Sequence, residues 1–137
     1  MHLPLSGLAI IADVEYTVDA AQLVLQSVHR LRDIGLLAGR VDGVNLKLMK
    51  TGGIREMLRI IHAARAHGMQ VMLGSMVESS LALSAAAQLA PLADWLDLDG
   101  HWLIRDDPFE GAPGERGRIT LSERPGLGVR ARAGSPA

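Results

Sequence analysis

Short apolar runs alternate with longer amphipathic segments along this sequence, and that rhythm leaves few folds open. LAIIAD at 8–13, VNLKLM at 44–49, QVMLGS at 70–75 and WLDLD at 95–99 are too short for helices. They are apolar through their bodies, as strands covered on both faces are. Between them the period lengthens. Thr17 is placed to cap a helix whose positions Val24, Val28 and Leu31 follow the i, i+4, i+7 rule, with Gly35 as its stop. Gly52 and Gly53 open a second helix with an apolar stripe of Ile54, Met57, Leu58 and Ile61, closed by Gly68. A third, rich in small residues, runs from Ser79 to Leu89 ahead of Pro91. Four strands separated by three helices predict an α/β fold with a parallel sheet built from βαβ units. From Arg105 onward the chain turns to Gly, Pro and Arg, and we expect loop there with one short strand around Ile119–Leu121. Residues 1–129 read as one domain and 130–137 as a disordered tail.

Composition removes several classes of function. The 137 residues, 48% hydrophobic, hold enough apolar material for one core. Fourteen basic against fifteen acidic residues give a net charge of -1, which offers no electrostatic footprint for nucleic acid or an anionic membrane. The absence of cysteine excludes a disulfide framework, a thiolate zinc site and a cysteine nucleophile. No apolar run reaches the ~20 residues that cross a bilayer, and MHLPLSGLAI has no cationic segment ahead of its apolar stretch. We therefore expect a soluble, unexported, cytoplasmic protein.

The polar residues fall in a pattern of their own. Twelve of the fourteen basic residues are Arg, and the only two lysines, Lys47 and Lys50, stand together in VNLKLMKTGG. Lysine, unlike arginine, can give up its proton when desolvated, and so can act as a base. Side chains alternate along a strand, which puts Asn45 and Lys47 on one face and Leu46 and Leu48 on the other. Asp97 and Asp99 point together by the same rule. Asp13 ends the first run and Ser75 the third. Taken singly, a strand-end Asp is a helix cap and an exposed Lys is solvated surface. Four strand ends that agree are better explained by a site, because the carboxyl edge of a parallel sheet is where α/β enzymes assemble theirs.

The segments DGVNLKLMKTGG, GSMVESS, DLDG, DDPFEG and PGLGV, in that order from about Ala9 to Val129, resemble the C-terminal half of the enolase superfamily barrel. Within it they are most similar to the dipeptide epimerase group of the muconate-lactonising subgroup, typified by L-Ala-D/L-Glu epimerases. The resemblance implies the C-terminal half of a (β/α)7β TIM barrel, with Mg2+ stabilising the enolate formed by removal of a proton alpha to a carboxylate. It implies Lys47 as the catalytic base of the sixth strand, with Lys50 in support. It makes Asp13 one of three metal ligands and Asp97 and Asp99 the pair that receives a dipeptide's ammonium group. Ser75 and Met76 would line the substrate. A full barrel takes ~250 residues, so epimerisation of a dipeptide such as L-Ala-L-Glu is expected of the enzyme type, with this chain inactive by itself. The alternatives are a non-catalytic fragment or another member of the subgroup, a cycloisomerase or o-succinylbenzoate synthase. Against the latter, those substrates carry no ammonium for the DxD pair. Unpaired sheet edges leave room for a homo-oligomer.

Two departures accompany the resemblance. The fifth-strand ligand stands in Ala12-Asp13-Val14-Glu15 instead of an Ala-Asp-Glu-Ser type sequence, and His101 follows Gly100 where many relatives carry proline. Other motifs fail on their partners. Lys50-Thr51-Gly52 spells K-T-G without an S-x-x-K. The five histidines show no zinc-binding spacing.

Overall fold

The computed structural model describes residues 25–112, 114–115 and 117–134. A four-stranded parallel sheet forms its centre, in the order β1 (Leu25–Val28), β2 (Gly43–Lys47), β3 (Gln70–Gly74) and β4 (Trp95–Asp97). Helices α1 (Leu31–Leu37), α2 (Leu48–Thr51), α3 (Ile54–Ala66) and α4 (Ser80–Ala87) link the strands. The α/β class and the parallel sheet read from the sequence are those of the molecule.

Alternation along the strands divides the sheet into two unlike faces. Val28, Val44, Leu46, Val71, Leu73 and Leu96 are buried on one side, in one core with Ile34 of α1, Met57, Ile60, Ile61 and Ala64 of α3, and Leu83 of α4. The opposite face, with Asn45, Lys47, Met72 and Trp95, is only half-buried and Asp97 is exposed. Among the described residues the strands are therefore fully covered on one face only.

The first element differs from the sequence reading. Apolar spacing placed Val24, Val28 and Leu31 on one helix ending at Gly35; instead Leu25–Val28 is a strand and Gly35 lies inside α1. The spacing is ambiguous over so short a run, and pairing decides it. Leu25 to Val28 match Gly43 to Leu46 in parallel register, which buries Val28. The helix then starts after a break at Arg30, where the Asp33 carboxylate accepts the Arg30 amide at 2.9 Å and Glu56 of α3 accepts the Leu31 amide at 3.1 Å. The run at 8–13, its Asp13 and the Thr17 cap lie outside the described residues.

Smaller corrections follow from burial. Strand β2 stops at Lys47 and not Met49, because Leu48 already turns into α2. The buried stripe of α3 is Met57, Ile60, Ile61 and Ala64, while Ile54 sits at the exposed first turn. Gly52 and Gly53, at φ +83° and +121°, make the α2–α3 junction in backbone conformations that L side chains rarely adopt. The C-terminal region forms two small antiparallel pairs: β5 (Phe109–Glu110) with β8 (Arg130–Ala131), and β6 (Gly114–Glu115) with β7 (Arg118–Ile119). Residues 130–131, within the stretch expected as a tail, pair with β5 through their backbone.

The two edges of the sheet carry different polar groups. At the amino edge Asp94 accepts the Val71 amide at 2.7 Å and pairs with Arg65 at 2.7 Å, tying β4 to β3. The groups at the carboxyl edge are Lys47, Ser75, Asp97 and Asp99. In barrels of this architecture the first edge serves stability and the second serves chemistry.

Candidate active site

Lys47 is the last residue of β2, Gly74 the last of β3 and Asp97 the last of β4, and the register aligns all three in one row. Strand spacing puts the Cα atoms of Lys47 and Asp97 about 10 Å apart on the same face. Gly74 keeps the floor between them low. A Cβ there would lie 2.6 Å from Asn45 Oδ1, so the Asn45 amide occupies the space that a side chain at 74 would need. One row deeper, Asn45, Met72 and Trp95 align and form the rest of the floor.

Asp99 stands beside Asp97 just past the strand end. The Asp97 carboxyl is held above the usual carboxylate range, first by desolvation, then by the charge of Asp99 and a hydrogen bond to it, with Lys47 pulling the other way. Two carboxylates so placed repel until a cation joins them. The arrangement thus sets a lysine on one strand and a carboxylate pair two strands away.

The turn that carries Asp99 is fixed by main-chain packing. The Ser75 hydroxyl accepts the Gly100 amide at 3.2 Å. A Cβ on Gly100 would run into the Met76 carbonyl, so glycine is required in DLDG by close approach, at an ordinary φ. Met76 in turn donates its amide to Glu78 Oε1 at 2.9 Å, while its side chain stays exposed. Ser75 is buried and spends its oxygen on Gly100, so it joins the exits of β3 and β4. Lys50 lies in α2, past the end of the strand that carries Lys47.

Two residues of this neighbourhood escaped the sequence reading. Glu78, only 8% exposed, fixes Met76, but in MVESS it looks like a solvated helix start. Asp107 binds the start of α4: one oxygen accepts the Ser80 amide at 2.7 Å and the Ser80 hydroxyl, the other the Phe109 amide at 3.0 Å. Burial works to raise its pKa, but the two Ser80 bonds, the Phe109 bond and nearby His101 more than offset that and hold it low. The acidic pair in DDPFEG was the available signal, without a visible partner.

The enolase C-terminal domain-like family matches residues 12–134. The chain belongs to that family. It is 47% identical over 104 residues to the L-Ala-D/L-Glu epimerase of Bacteroides thetaiotaomicron, covering 76% of this chain and 27% of that protein. Among solved structures it is similar to a dipeptide epimerase from Methylococcus capsulatus complexed with Mg and the dipeptide L-Arg-D-Lys. That match has a TM-score of 0.72 and 35% identity, over 77% of this chain and 32% of the other. It is also similar to an N-succinyl Arg/Lys racemase from Bacillus cereus, with a TM-score of 0.77 and 29% identity over 83% and 32% of the two chains. The chain thus spans about a quarter to a third of the length of these relatives. In this enolase-type domain the resemblance offers one metal ligand, Asp13, outside the described residues. Among the described residues no three His, Asp or Glu side chains converge as a metal site would require. They therefore do not by themselves fit Mg2+.

Proposed function

We propose that the row of Lys47, Gly74 and Asp97 is the carboxyl-edge portion of a dipeptide epimerase site. The observation that carries this reading is the juxtaposition of a lysine and paired carboxylates on one face, across a glycine. In a dipeptide the ammonium nitrogen lies roughly 5 Å from the second Cα, which suits a site about 10 Å wide between its two side-chain-bearing strands. With the ammonium on Asp97 and Asp99, the second Cα lies toward Lys47. Lys47 takes the proton from that carbon, and the electron pair left behind delocalises into the adjacent carboxylate. Reprotonation from the opposite face, by a group across the substrate, inverts the centre. Ser75 and Met76 border the substrate, and Lys50 supports Lys47. We assign Asp13 to Mg2+ as one ligand. The names of the relatives, epimerases of L-Ala-D/L-Glu and other dipeptides, support the substrate class. We assign the protein to the cytoplasm, with a small-molecule substrate and no nucleic acid or membrane partner; no helix among the described residues is long and apolar enough to cross a membrane.

A second reading, racemisation of an N-acylated amino acid, draws on the Bacillus cereus likeness. Such a substrate still carries a cation in its Arg or Lys side chain, so Asp97 and Asp99 fit both readings, and the names of the epimerase relatives favour the first.

The test is a chimaera in which residues 12–134 replace the matching segment of the Bacteroides thetaiotaomicron epimerase. With L-Ala-L-Glu and Mg2+ in deuterated water, exchange of the alpha proton is expected, with its loss in Lys47→Gln. A folded chimaera that exchanges nothing would favour the non-catalytic alternative. Exchange that persists in Lys47→Gln would remove Lys47 from the role.

A further inference from the structure

A cavity of about 670 Å³ is lined by residues other than those of the Lys47–Asp97 row. Its wall includes Ser80, His101, Trp102, Arg105, Asp107 and Arg132, and none of Lys47, Ser75, Met76, Asp97 or Asp99. The volume is that of a small-molecule site. We propose that it binds a small organic oxyanion, a carboxylate or a phosphate ester, between the guanidinium groups of Arg105 and Arg132.

Asp107 lines the same cavity as the two arginines, but its oxygens accept from Ser80 and Phe109. Neither Arg105 nor Arg132 forms an ion pair among the described residues. Arg132 is nevertheless held in place: its Nε donates to the Phe109 carbonyl at 3.1 Å and its amide to the Pro108 carbonyl at 2.9 Å. A guanidinium anchored through Nε has both terminal nitrogens left to meet two oxygens, the planar fork that suits carboxylate and phosphate. His101 adds a second indication, because its Nδ1 is buried without a hydrogen-bond partner. A buried polar nitrogen of that kind calls for a partner. Trp102, half-exposed in the same wall, offers an aromatic surface to the body of the ligand. Asp106 also lines the cavity and, with Asp107, balances its formal charge. Recognition therefore rests on the geometry of the two forks and not on a positive field.

The test uses the 137-residue chain and two probes, succinate for the carboxylate source and inorganic phosphate for the phosphate source, with chloride at matched ionic strength. Resonances of the Trp102 indole N–H and the Arg132 Nε–H are followed by NMR. Saturable shifts with at least one probe and none with chloride are expected, and which probe acts identifies the source. Arg105→Gln and Arg132→Lys should each weaken binding by about tenfold or more, and Lys47→Gln should leave it unchanged. Arg105 is exposed and forms no ion pair among the described residues, so its variant retains the fold; Arg132→Lys retains the charge while losing the fork. Absence of saturation by about 10 mM, equal shifts with chloride, or binding untouched in both arginine variants would overturn the proposal.

Discussion

Replacing Gly100 with alanine adds one methyl group to the DLDG turn, and the surroundings determine its cost. The new Cβ would overlap the Met76 carbonyl, a backbone atom, and come within 3.1 Å of Ser75 Oγ. A backbone neighbour cannot rotate away, so the turn must shift. Overpacking of this kind costs about 1–3 kcal/mol. The shift also stretches the Gly100 amide bond to Ser75, 3.2 Å long at the outset, which contributes about 1 kcal/mol. Against this, alanine narrows the unfolded ensemble by about 0.4–1 kcal/mol. The net expectation is destabilisation of about 1–3 kcal/mol. Gly35→Ala is the control: it lies exposed inside α1 with no atom within 4 Å of its added Cβ and no positive φ. There the same substitution should stabilise by roughly 0.5–1 kcal/mol. Urea unfolding followed by circular dichroism gives both values from midpoints at a common slope. The reasoning fails if the two variants move in the same direction, or if Gly100→Ala unfolds at or above the wild-type midpoint.

Four further outcomes follow from the carboxylates and the core. Asp107→Ala leaves the buried Ser80 amide and hydroxyl without an acceptor and should destabilise by about 1–3 kcal/mol, read by urea unfolding with faster amide exchange in the first turn of α4. Because the Asp107 pKa is depressed in the fold, its stabilisation is present above the unfolded value of about 3.9 and lost as pH falls through the folded value; that acid-side slope should be missing in Asp107→Asn. The Asp97 pKa is raised, so the opposite sign holds: its relative stabilisation exists below about 3.9 and disappears as pH rises through the folded value. Asp97→Asn should therefore gain on the wild type from acid toward neutral pH in parallel urea titrations. Leu73→Ala, at a position with no exposure, should cost about 2–5 kcal/mol by the same measurement.

The site was more legible than the packing around it. Period-2 alternation alone put Asn45 and Lys47 on one face, and strand ends alone put Lys47, Ser75 and Asp97 at one edge. These depend on local geometry that the backbone imposes wherever a strand forms. The strand Leu25–Val28 was missed because four residues fit either period, and its partner Gly43–Leu46 is distant in sequence. Asp107 and Glu78 were missed for a related reason. Their partners Ser80 and Met76 follow no motif, and a carboxylate beside a turn reads as solvated until something covers it.

By itself, then, the sequence determined the class of fold, the edge where the polar groups gather and the kinship of its motifs, since each is written in neighbouring residues. Tertiary structure alone decided that Gly74 sits between Lys47 and Asp97, that Gly100 must lack a side chain because a carbonyl from another loop rests on it, and that Asp107 serves a helix. Each of these is a contact between segments more than twenty residues apart. Such contacts arise from strand register and burial, which no local pattern encodes.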